Sequence, residues 1–67
     1  MNKELLRSVM VLNNDTYVSL AIALGISPQS VSNKVNENGT EFTQGEIKFI
    51  KNRYNLTPEQ VESIFFA

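Results

Sequence analysis

At 67 residues the chain has room for one domain, and a domain this small buries only about 60% of the surface that its unfolded form exposes. It contains no cysteine and no histidine, which excludes a disulfide framework, a thiolate metal site and the commonest catalytic base, while 42% hydrophobic residues exclude a disordered polar chain. Its net charge of −1 and isoelectric point of 5.2 show no basic excess.

The first predicted helix runs from Asn2 to about Leu12, where Leu5, Val9 and Leu12 repeat at i, i+4, i+7 and Leu6 with Met10 widen the stripe. Asn13, Asn14 and Asp15 break it, being residues that bond their own backbone in turns. Thr16 then caps a second helix, predicted over Tyr17 to Leu24, with Leu20, Ala21 and Leu24 on its buried side. Gly25 stops that helix because the residue just past a helix end often takes positive φ, which glycine adopts without steric cost. Ser27 caps a third helix, Pro28 suits its first position, and Ile26 staples onto Val31. The third helix extends from Pro28 to about Asn36 with Val31 and Val35 inward.

Glu37 to Glu41, with Asn38, Gly39 and Thr40, reads as a surface loop. Thr43 and Glu46 then form a capping box, Phe42 staples onto Ile47, and a fourth helix presents Ile47, Ile50 and Tyr54 inward while Lys48, Lys51 and Arg53 stay solvated. The same device recurs at Leu56, Thr57, Pro58 and Gln60, which start a fifth helix running to about Phe65. The predicted fold is therefore all-α, five short helices with short connections, organised around a helix-turn-helix at about residues 16–36.

Catalysis is not expected. The seven carboxylates are scattered without the spacing of a paired acid and base or of a metal cage, and Gly25, Gly39 and Gly45 stand too far apart for a phosphate loop. No cofactor and no small-molecule substrate are implied. No apolar segment approaches the roughly 20 residues of a membrane span and no signal-peptide pattern opens the chain, so a cytoplasmic protein without membrane association is expected.

The outer face of the third helix carries the functional signal. With Val31 and Val35 inward, Gln29, Asn33 and Asn36 fall near the opposite side with Ser30 and Ser32 flanking them. Ser and Asn each cost up to about 0.7 kcal/mol in a helix relative to alanine, so helix stability alone does not select them. Amides can bond adenine N6 and N7 in the major groove, and serines can serve bases or phosphates. Helix starts such as Thr16 and Ser27 also present free N–H groups to phosphate.

Thr16, Leu20, Ala21, Leu24, Gly25, Ile26, Ser27, Val31 and Ser32 together resemble the pattern of the phage repressor and Cro-like helix-turn-helix superfamily, the lambda-repressor-like fold. Asn33 to Asn36, Gly39, Glu41 to Thr43, and Tyr54 to Glu59 with a terminal Ile64, Phe65 and Phe66 are similar to small one-domain regulators in prophages of Gram-positive bacteria. The resemblance implies a repressor-type transcription regulator that binds double-stranded DNA with the third helix. Thr16 and Ser27 would then lie near phosphates, and Gln29, Ser30, Ser32 and Asn33 would face base edges or the flanking backbone. Two positions depart from the pattern: Tyr17 stands where the family commonly has a phosphate-bonding Gln, and Pro28 stands where a polar or basic residue is common.

Lys34 is the only cation in the recognition segment, beside Asn36 at its end. The acidic balance leaves two readings: a DNA binder that doubles its contacts as a homodimer, or an antirepressor-like module that binds another protein. Phe66 lies about 100° beyond Phe65, off the face shared by Val61, Ile64 and Phe65, and is the expected dimer contact.

Overall fold

Every helix of this chain starts on a side-chain cap, and four of the five stop on a left-handed residue, so local chemistry sets the element boundaries. The computed structural model describes residues Met1–Ala67 as α1 (Lys3–Leu12), α2 (Tyr17–Leu24), α3 (Pro28–Val35), α4 (Gln44–Arg53) and α5 (Pro58–Phe65), with no strands. Asn2, Thr16, Ser27, Thr43 and Thr57 each accept a hydrogen bond from the backbone N–H three residues on, a cap worth about 1 kcal/mol. The boxes of Thr43 with Glu46 and of Thr57 with Gln60 form as their spacing predicts. A third box, Thr16 with Ser19, has serine in the place usually held by Glu or Gln.

The stops share one geometry. Asn14, Gly25, Glu37 and Asn55 have φ of 53°, 75°, 54° and 53°, and the N–H after each reaches back to a carbonyl five residues earlier: Asp15 to Met10, Ile26 to Ala21, Asn38 to Asn33 and Leu56 to Lys51, all at 2.9–3.0 Å. These bonds satisfy helix-end carbonyls that would otherwise be orphaned. Glycine serves only the α2 stop. At Glu37 an ordinary side chain occupies the left-handed region, at a cost of about 1–2 kcal/mol.

Burial selects one face from each element. Leu6, Val9 and Met10 of α1, Leu20 and Ala21 of α2, Val31 and Val35 of α3, Ile50 of α4 and Ile64 of α5 form a core completed by Phe42, Tyr54 and Leu56, and no polar residue other than Tyr54 is buried with them. The expected staples Ile26, Ile47 and Val61 pack half-buried against it. Helix α5 packs on α1 and α4 while α2 packs chiefly on α3, and the Asn2 N–H donates to the Ile64 carbonyl at 2.7 Å, tying the start of α1 to the end of α5. The radius of gyration is 10.7 Å, close to the roughly 11 Å of a compact chain of this length.

One predicted face is corrected. Leu12 belongs to the stripe proposed for α1, yet it is 79% exposed and its neighbour Val11 is 72% exposed. Apolar residues at six of the ten positions of α1 cover more than one face, and periodicity does not choose between the 5–9–12 and 6–9–10 rows that share Val9. Packing buries the second row with Leu5 half-buried beside it and leaves Leu12 outside.

Candidate nucleic-acid interface

The α2–turn–α3 pair is set by Gly25 in the left-handed region and Ser27 in extended conformation, which leave only three residues between the end of α2 and the start of α3. With Val31 and Val35 in the core, Gln29 is exposed and Ser30, Ser32 and Asn33 are part-exposed beside it. Gln29 Nε2 donates to Asn33 Oδ1 at 3.0 Å. That bond leaves the Gln29 carbonyl free to accept and the Asn33 amide nitrogen free to donate, side by side on the outer surface.

The other predicted site residues are drawn away from this centre. Asn36 donates to the Ser32 carbonyl at 2.9 Å and accepts from Lys3 Nζ at 3.3 Å, so it faces α1. Lys34 reaches the opposite way and pairs with Glu46 at 3.0 Å, at the start of α4. Glu46 is partly desolvated, but the Thr43 N–H and Lys34 outweigh that penalty and hold its carboxyl below the ordinary range. The hydroxyls of Thr16 and Ser27 are occupied as helix caps, and Ser30 shares a 2.9 Å hydroxyl contact with Ser27.

Tyr17, at the first position of α2, accepts a hydrogen bond from Arg7 Nε at 3.1 Å. This brings an exposed guanidinium from α1 to the start of α2, on the same corner as Thr16. Sequence reading did not single out Arg7 for this corner because its link to Tyr17 is tertiary. The signal available was Tyr17 itself, a phenol that needs a polar partner.

Asp15 was read only as a helix breaker. Its carboxylate is 6% exposed and accepts from Arg53 Nε at 2.8 Å and Nη2 at 3.2 Å, from the Tyr54 hydroxyl at 2.5 Å, and from the Ser19 hydroxyl. These bonds, led by Arg53, hold the Asp15 carboxyl far below the usual carboxylate range, and burial beside it pushes the Tyr54 phenol far up. The cluster fastens the start of α2 to the end of α4. Arg53 is exposed, as expected of the solvated face of α4, while its guanidinium is engaged by Asp15.

Four of the six cations thus have partners inside the chain, and Lys48 and Lys51 of α4 do not. Phe66 is 57% exposed and lines an open groove of about 470 Å³ together with Phe42, Ile47 and Phe65. The Phe42 and Phe65 rings meet edge to face at 5.9 Å. No three acidic side chains converge as a metal cage, and no helix is long and apolar enough to cross a membrane.

Comparisons with family models, curated proteins and solved structures gave no match. The functional reading therefore rests on the residues themselves.

Proposed function

We propose that this chain is a sequence-specific, double-stranded-DNA-binding transcription regulator of the phage repressor and Cro-like type, with α2 and α3 as its helix-turn-helix and α3 as the recognition helix. The observation that carries the reading is the coupled Gln29–Asn33 amide pair on the uncharged outer face of α3. Its free acceptor and free donor complement the N6 donor and N7 acceptor of adenine in the major groove. Arg7, held by Tyr17 beside the Thr16 cap, supplies a phosphate contact at the start of α2, where the N–H groups also favour an anion. Lys34 contributes to phosphate binding by exchanging Glu46 for the DNA backbone, and Ser27, Ser30 and Ser32 flank the base-reading pair. Asn36 orders the end of the helix through Lys3 and contacts the backbone.

So few free cations give a weak monomer. A second copy, joined through Phe66 at the rim of its aromatic groove, doubles the contacts and presents two recognition helices to half-sites about 34 Å apart. Sedimentation tests this directly: the parent should self-associate and Phe66→Ala should not, whereas a parent that stays monomeric with and without DNA removes Phe66 from the interface.

A second reading has its own observation. From Ser8 to Asn33 the only charged residue is Asp15, which Arg53 neutralises, and within that stretch Val11, Leu12, Val18 and Ile22 stand 55–79% exposed. Such a surface suits an antirepressor-like module that docks on another protein. Selection from randomised duplexes followed by titration at several salt concentrations separates the two. The DNA reading requires saturable binding that weakens as salt rises, and the protein-binding reading requires none even at low salt.

A further inference from the structure

We infer that Asn38 is a site of spontaneous, charge-changing modification, an inference that stands independently of what the chain binds. Asn38 is the only asparagine followed by glycine, and it lies in the exposed loop that ends α3. In an Asn-Gly pair the backbone nitrogen of the glycine, once deprotonated, attacks the asparagine Cγ. A C–N bond forms to close a five-membered succinimide, the bond to the side-chain nitrogen breaks, and ammonia leaves. Water then opens the ring at either carbonyl, giving aspartate or its β-linked isomer.

The local geometry leaves this path open. Asn38, Gly39 and Thr40 are all exposed, a side chain on Gly39 would meet nothing within 4 Å, and the single bond on the Gly39 N–H is to the nearby Glu37 carbonyl at 3.0 Å. Three other asparagine side chains are bonded within the chain, since Asn13 donates to the Val9 carbonyl at 2.8 Å, Asn33 Oδ1 accepts from Gln29, and Asn36 donates to the Ser32 carbonyl at 2.9 Å, while Asn14, Asn52 and Asn55 precede Asp15, Arg53 and Leu56 rather than glycine. The Asn38 side chain bonds nothing within the chain.

The product differs physically from the parent. A carboxylate at position 38 stands between Glu37 and Glu41, past the C-terminus of α3, where the helix dipole already disfavours negative charge. The β-linked isomer also lengthens the main chain after the Asn38 N–H, the group that closes the α3 stop on the Asn33 carbonyl at 2.9 Å.

The test is timed incubation of the folded protein at mildly alkaline pH, followed by ion-exchange chromatography, peptide mass analysis and enzymatic methylation of β-linked aspartate. The expected result is loss of the parent peptide spanning Asn38 and Gly39, with two acidic isomers in its place, one of them methylated, and a net charge one unit more negative. Asn38→Gln, which would need a larger ring, should remain a single species. The inference is overturned if folded protein keeps Asn38 intact while the urea-unfolded chain converts it in the same buffer, or if another asparagine converts first.

Discussion

The stretch from Ser8 to Asn33 and the stretch from Lys34 onward solve different problems. The first has Asp15 as its sole charge and is organised by apolar packing and hydroxyl caps, whereas the second carries charged residues throughout and absorbs two of its cations in pairs with Glu46 and Asp15. Asp15 is where the halves are joined, since its carboxylate lies at the start of α2 and its partners Arg53 and Tyr54 at the end of α4. The proposed reading head is thus electrically neutral. Base-edge hydrogen bonds rather than phosphate attraction must supply its selectivity, and the cations that assist it, Arg7 and Lys34, come from α1 and from the last turn of α3.

The largest effect should come from breaking the neutral half at its centre. Val31 is fully buried, and Val31→Asp places an unpaired carboxylate there in a domain whose total stability is roughly 3–10 kcal/mol. Circular dichroism should show most of the population unfolded. An unchanged thermal transition would mean that α3 packs through another face.

Cutting the joint between the halves comes next. Asp15→Asn should cost about 2–3 kcal/mol, because three donors lose a charged acceptor, and thermal unfolding should fall by roughly 8–20 °C in a domain this size. The pH dependence follows from the depressed Asp15 carboxyl. Its stabilisation is complete above the unfolded-state value near 4 and is lost as pH falls toward the folded value, so the parent should lose stability in acid more steeply than Asp15→Asn. Parallel acid profiles for the two proteins would deny Asp15 this role.

A smaller and opposite change is expected at the edge of the charged half. Glu37 holds the left-handed stop of α3 at φ 54° with an ordinary side chain, so Glu37→Gly should raise stability by about 0.5–1 kcal/mol. A lower melting temperature would show that the glycine's entropy cost, or the lost contact of Glu37 with the Met1 amino group, outweighs the relief.

The two halves were also unequally legible. Thr16, Gly25, Ser27 and Pro28 fix the limits of α2 and the start of α3 because capping and left-handed stops act within a few residues, and the Thr43 and Thr57 boxes do the same for α4 and α5. What escaped is tertiary. Arg7 meets Tyr17 ten residues away and Asp15 meets Arg53 at a separation of 38, distances at which periodicity carries no information. Leu12 was misplaced for the same reason, since only packing shows which of two overlapping apolar rows of α1 faces inward.

The central claim, that the neutral face of α3 reads base pairs, is tested most directly by measuring the affinity of the parent, Gln29→Ala and Asn33→Ala for a selected duplex and for its single-base-pair variants. The claim predicts that each substitution removes about 1–3 kcal/mol of discrimination at one position while circular dichroism remains that of the parent. Undiminished preference for the selected site in both variants would contradict it.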